Sequence, residues 1–238
     1  MTRRRWIADE VSGDRATLLG EHAEHLARVL RARVGQEFDI AGGGRVRRGR
    51  IISISPERVD FELAEDVPAS DLPKIHLVLA IFKFDRFEWA IEKATELGVA
   101  RVTPVIARRT DAHLAASAGK RVERWKRLAR EAAEQSRRAL PPEVADPVKL
   151  ASVLSVAGGT RIVLAESETG VTLKQALAST TEPVTLAIGP EGGWTDDESK
   201  RFVEHGWVAA SLGTTILRAE TAAIAALAVA LAELMAGD

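Results

Sequence analysis

Residues 75–81 read Ile75-His76-Leu77-Val78-Leu79-Ala80-Ile81, an apolar run broken by a single histidine. A strand with one wet face alternates apolar and polar side chains. An unalternating run is therefore expected to be covered on both faces, as in a parallel sheet. Outward from it, Arg86–Leu97 repeats apolar residues at helical spacing and stops at Gly98, a residue suited to a helix C-terminus. Val102–Ile106, Arg161–Ala165 and Val184–Ile188 are further buried-strand candidates, with a short strand at Val208–Leu212. Lys120–Arg138, Asp196–Glu204 and Glu220–Met235 read as helices. Strands alternating with helices predict an α/β domain, a largely parallel sheet with helices on both faces.

Upstream the rhythm is different. Short alternating runs such as Glu37–Ile40 and Val59–Leu63 are separated by Gly42-Gly43-Gly44 and Ser55-Pro56, with one helical stretch at Glu21–Arg31. This spacing predicts a small β-barrel over residues 1–70. Val67–Pro73, with two prolines and small polar residues, is the expected linker, and the α/β domain takes 73–238. A chain of 238 residues is long enough for two such cores.

Composition closes several routes. Cysteine is absent, which excludes disulfides, a thiol nucleophile and thiolate metal sites. Hydrophobic residues at 46% and charged residues at 28% fit an ordinary globular chain. The N-terminal residues have no signal-peptide core, and the longest apolar run, Ala222–Ala232, is too short to span a bilayer. A soluble, cytoplasmic protein is expected. The net charge of −1 hides an asymmetry: residues 101–138 carry 11 basic against 4 acidic side chains, and 139–238 carry 6 against 13. Arg28–Arg50 adds a second basic block, 7 against 2. Basic blocks of this kind suit a polyanion such as RNA as well as they suit a solvated face.

In open α/β sheets ligands bind beyond the carboxyl ends of the strands. Three loops lie there: the one opening at Glu166 after Val163-Leu164-Ala165; Gly189-Pro190-Glu191-Gly192-Gly193 after Ile188; and Leu212-Gly213-Thr214-Thr215-Ile216-Leu217-Arg218. Glycines let a ligand approach the main chain. No G-x-G-x-x-G follows a first strand and no G-x-x-x-x-G-K-[ST] occurs, so dinucleotide and P-loop sites lack their phosphate cradle. Glu191 without a nearby lysine favours a ligand with positive charge or one held by backbone amides. The histidines, His22, His25, His76, His113 and His205, show no metal-ligand spacing, and no metal is expected.

Lys93-Ala94-Thr95-Glu96-Leu97-Gly98-Val99, Glu131–Arg138, Ile188–Gly193 and the string Leu212-Gly213 through Ile216-Leu217-Arg218-Ala219-Glu220-Thr221-Ala222 together resemble the ribosomal RNA small subunit methyltransferase E family, within the SPOUT class. The resemblance implies a trefoil-knotted α/β domain, a PUA-like N-terminal barrel and a homodimer. It also implies S-adenosylmethionine-dependent methylation of N3 of one uridine in 16S ribosomal RNA. Another RNA, such as transfer RNA, or a catalytically silent role in ribosome assembly stays open at this level. The family often has a glycine between the Lys and Asp of Lys83-Phe84-Asp85-Arg86; here Phe84 stands there.

Carried over by position, the cofactor loops comprise Leu164, Ala165 and Glu166; Ile188, Gly189, Pro190, Glu191, Gly192 and Gly193; and Leu212, Gly213, Ile216, Leu217 and Arg218. Apolar side chains there can sandwich adenine while the main chain reads its edge. Arg218 and Glu191 are the catalytic candidates. Arg218 would stabilise charge as N3 loses its proton, and Glu191 would face a sulfonium. Arg218 sits where an apolar strand end meets an apolar helix, where burial of an unpaired guanidinium would be costly, and an ion pair with Glu220 or another carboxylate is the plainer alternative. Arg28, Arg31, Arg47, Arg48, Arg50, Arg121, Arg124, Arg137 and Arg138 are the RNA-contact candidates. The last helix is apolar nearly all round and is expected to be buried partly against a second copy.

Overall fold

The computed structural model of the protein describes residues 5–68, 72–155, 158–180 and 182–236. The chain divides into two compact units: Met1–Asp71 with Ala133–Pro141, and Leu72–Ala132 with Pro142–Asp238. The first therefore includes a segment that sequence reading leaves in the second domain, and part of the expected linker, residues 69–71, lies outside the described residues.

The first unit holds β1 (Arg5–Ile7), β2 (Glu10–Ser12), β3 (Arg15–Leu19), α1 (Gly20–Glu24), β4 (Glu37–Gly42), β5 (Arg45–Ile54) and β6 (Arg58–Asp66). Its six strands run in the order β1-β4-β5-β6-β3-β2. β1 and β2 are the two ends of that order, yet only Ala8 and Asp9 separate them in the chain. Ala8 N–H donates to Ala41 O at 2.8 Å and Asp9 N–H to Thr17 O at 2.9 Å. The chain thus steps from one sheet edge to the other, and the sheet curls around Trp6, Leu18, Leu26, Ile40, Ile51 and Phe61. The expected helix over Glu21–Arg31 is shorter: after α1 the chain takes a π-type turn over His25–Val29 and ends at Arg31, whose φ is 50°.

The second unit contains β7 (Ile75–Ala80), α2 (Phe84–Glu96), β8 (Arg101–Ile106), α3 (Ala112–Ser117), α4 (Val122–Gln135), β9 (Glu143–Val144) and β10 (Val148–Lys149). It continues through α5 (Ala151–Leu154), β11 (Thr160–Leu164), α6 (Leu173–Leu177), β12 (Val184–Ile188), α7 (Asp196–Glu204), β13 (Val208–Ala210) and α8 (Ala219–Met235). Seven parallel strands form one sheet, β10-β8-β7-β12-β11-β13, with β9 also on β8. The apolar run at 75–81 behaves as its lack of alternation requires. Ile75, Leu77, Leu79 and Ile81 face a core with Phe87, Ile91, Trp125, Ala223 and Leu227; Val78 and Ala80 face another with Val153, Leu154, Trp194, Phe202 and Trp207. Each strand face has its own helical cover.

Phe84, in place of glycine, opens α2. It packs on Trp125 with centroids 6.0 Å apart, and the Arg121 guanidinium lies 4.9 Å from its ring centre. α4 stops at Gln135, three residues before the expected end, because the backbone leaves helical space at Arg137, φ 60°. The short elements α3, α5, α6, β9 and β10 had no periodicity long enough to be read from sequence.

Candidate functional site

β12, β11 and β13 stand side by side and parallel, so their carboxyl ends share one rim. The loops that leave this rim enclose a cavity of about 310 Å³. Leu164, Ala165 and Glu166 leave β11; Ile188 through Gly193 leave β12; Leu212, Gly213, Ile216 and Leu217 follow β13; all line the cavity. Much of this wall is main chain. A Cβ on Gly189 would lie 3.3 Å from Gly193 C and Trp194 N, so a side chain here would press on the loop where it folds back. Gly213 has φ +126°, a conformation that residues with a side chain rarely adopt.

Arg218 stands apart from these. It does not line the cavity, is exposed, and caps α8 with φ −64° and ψ 152°. The guanidinium escapes the cost of burial because the loop ends at the surface before the helix turns inward. The alternative pair with Glu220 is not made. Glu220, buried at the start of α8, has Oε1 3.7 Å from Arg86 Nε. The same Arg86 donates from Nη1 to Glu191 Oε1 at 3.2 Å. One guanidinium on α2 thus ties the Gly189–Gly193 loop to α8 and offsets the Glu191 charge.

Sequence reading missed Arg109, Trp194, Asp196 and Ser199, which also line the cavity. Arg109 follows the carboxyl end of β8, the same position in a sheet that marked the other loops, but it was read as one more basic residue of the 101–138 block. Asp196 and Ser199 come from α7, whose start is fixed by a capping box. Thr195 N–H donates to Glu198 Oε2 at 2.9 Å, and Glu198 N–H to Thr195 Oγ1 at 3.3 Å. Glu198 Oε1 accepts from Arg108 N–H at 2.7 Å, so α7 and the turn after β8 are tied together.

The arginines expected to meet RNA are dispersed and mostly paired. Arg28 bonds Glu24, Arg47 bonds Asp14 at 2.9 Å, Arg48 bonds Asp39 at 2.8 Å, and Arg50 approaches Glu37 at 3.5 Å. Arg121 and Arg124 share Glu88, at 3.6 and 2.9 Å. Arg5 Nη1 donates to the carbonyl of Arg137, and burial pushes the Arg138 guanidinium down to about 10. Arg31, exposed, makes no ion pair with any described residue. None of the histidines lines the cavity. Among the described residues no cluster of three or more His, Asp or Glu side chains is arranged to hold a metal, and no helix is long and apolar enough to cross a membrane.

The geometry can be set against known proteins. An RNA methyltransferase domain family matches residues 70–231, and an RNA methyltransferase PUA domain family matches residues 18–64. The ribosomal RNA small subunit methyltransferase E of a Synechocystis strain is 36% identical over 222 residues, 89% of this chain and 71% of that protein. Its Bacillus subtilis counterpart is 31% identical over 236 residues, 93% of this chain and 92% of that one. Among solved structures, a Legionella pneumophila methyltransferase in complex with bound S-adenosylmethionine superposes with TM-score 0.85 at 30% identity, covering 98% of each chain. A ribosomal RNA small subunit methyltransferase E from Neisseria gonorrhoeae, bound to S-adenosylmethionine, gives 0.84 at 27%, covering 95% of this chain and 96% of that one.

Proposed function

The chain belongs to the ribosomal RNA small subunit methyltransferase E family, and from that premise we propose that it transfers a methyl group from S-adenosylmethionine to N3 of one uridine of 16S ribosomal RNA. It is an S-adenosylmethionine-dependent RNA methyltransferase. The observation that carries the reading is the cavity at the carboxyl ends of β11, β12 and β13. Its volume, its main-chain wall and its ionic lining fit this cofactor. With Glu191 offset by Arg86, the lining holds Glu166 and Asp196 against Arg109, an excess of carboxylate that suits a ligand bearing sulfonium and ammonium charges and one carboxylate.

When bound, S-adenosylmethionine supplies an electrophilic methyl group on a sulfonium. In this reading Leu164, Ile188, Leu212, Ile216 and Leu217 hold its adenosine, with Ala165, Glu166 and the backbone of Gly189–Gly193 and Gly213 reading its polar edges. Arg218, exposed between the lining residues Leu217 and Ala219 and making no ion pair with any described residue, is assigned to the negative charge that grows on the uracil as N3 loses its proton. Glu191, the other catalytic candidate, is assigned a positioning role instead: paired to Arg86, it orders its loop more than it attracts a cation. The first unit, a PUA-like barrel, and the arginines of both basic blocks would bind RNA phosphates, which position the substrate without naming the base. A cytoplasmic location, a homodimer and the knot of the SPOUT class belong to the same reading.

Calorimetry with S-adenosylmethionine tests the site, and absence of binding would remove it. Mass spectrometry of 16S ribosomal RNA from a deletion strain, with and without complementation, tests the product. A uridine carrying the N3 methyl group in both strains would sink the assignment. Light scattering tests assembly: a particle of 25.7 kDa would mean a monomer.

A further inference from the structure

Several arginines of the second unit are already answered by carboxylates: Arg86 by Glu191 and Glu220, Arg121 and Arg124 by Glu88. Arg109 is not. It lines the cavity, is exposed, and makes no ion pair with any described residue. Its Nη1 donates to the carbonyl oxygens of Gly192 and, at 3.3 Å, Trp194. Carbonyls orient a guanidinium without cancelling its charge, and Nε and Nη2 keep their donors free for another partner.

The approach of this side chain is built in. A Cβ on Gly192 would stand 3.2 Å from Arg109 Cδ, so glycine makes room for the arginine stem. The turn beneath is pinned twice more. Ala107 N–H donates to Thr110 Oγ1 at 3.1 Å, and Thr110 Oγ1 donates to Ile81 O at 3.2 Å. Arg108 N–H is held by Glu198. The result is a pre-oriented cation, the single one on a lining that otherwise carries carboxylates.

We propose that Arg109 is a binding residue for the carboxylate at the amino-acid end of the cofactor. A planar fork of N–H donors matches a carboxylate better than a point charge does. The assignment rests on the functional reading above. It also divides the cavity: the guanidinium at the Gly192–Trp194 side takes the anionic end, which leaves Glu166 and Asp196 for cationic groups.

The test compares S-adenosylmethionine with its decarboxylated analogue, which lacks only the carboxylate, by calorimetry on wild-type protein and on Arg109→Leu and Arg109→Lys. The expected result is that Arg109→Leu weakens S-adenosylmethionine by about tenfold and changes the decarboxylated analogue by less than about twofold. Arg109→Lys, which keeps charge without the fork, recovers part of the loss. An equal loss for both ligands would mean that Arg109 only shapes its loop, and would overturn the proposal. So would unchanged affinity for both, or a loss confined to RNA binding, which would make RNA phosphate the anion. Wild-type protein that binds neither ligand would overturn the functional reading, and this assignment with it.

Discussion

At the scale of single residues, the site depends on atoms that are missing as much as on those present. Gly189→Val would push a side chain into the backbone of Gly193 and Trp194. The loop must then move by a few tenths of an ångström in a wall that the ligand has to match. Gly213→Val meets open space but a φ of +126°, a strain of about 1–3 kcal/mol that the loop sheds by taking another path. For both variants S-adenosylmethionine affinity is expected to fall at least about tenfold while the far-ultraviolet dichroism stays unchanged. Wild-type affinity in both would show that these loops do not form the site. A different residue sets a pH response. On β7, burial and the nearby Arg101 hold the His76 imidazole below its usual range. The unfolded chain then takes up a proton that the folded chain resists. Stability is therefore full above about pH 6.5 and declines as the pH falls below it. His76→Gln is expected to flatten the fall of melting temperature between about pH 7 and pH 5; an unchanged slope would assign the fall to other groups.

Elements show where the chain was legible and where it was not. The strand at 75–81 could be read because burial on both faces leaves a pattern that no surface strand has. The cavity loops could be read because glycine and strand ends mark them. Arg109 and Trp194 could not, since their importance comes from which strands lie near each other, and no periodicity encodes that. α8 carries a pattern that two different packings would both produce. Its apolar surround predicts burial partly against a second copy, and Ala226 and Leu227 are residues that such a seam could use. Both residues are fully buried inside the unit, where α8 packs on α2 and on Leu77 and Leu79. Substitutions there probe folding, whatever the assembly. Leu227→Ala is expected to lower stability by about 2–5 kcal/mol, read from urea unfolding, and a loss under about 1 kcal/mol would mean the site collapses around the gap.

On the scale of the whole molecule, charge is organised less simply than two basic blocks. Ion pairs within each unit leave only some arginines free to trade counterions for RNA phosphates. In the first unit Arg31, Arg33 and Arg45 are exposed and make no ion pair with any described residue, whereas Arg47 and Arg48 bond Asp14, Asp39 and Glu65. Changing Arg31, Arg33 and Arg45 together to glutamine is expected to reduce the salt slope of RNA affinity by about 2, at roughly 0.7 per lost phosphate contact to a single strand. The Arg47/Arg48 double variant is expected to change that slope less and the melting temperature more. Equal slopes for both variants and wild type would make the block a solvated face. The division of the chain has a consequence for its birth. Ala133 packs in the first unit with Ile7, Ala41 and Val46, and the unit closes only with Pro141. Synthesis from the N-terminus cannot finish the first unit before Leu72–Ala132, more than a third of the second, has left the ribosome. The two units, distinct as bodies, share a single timetable.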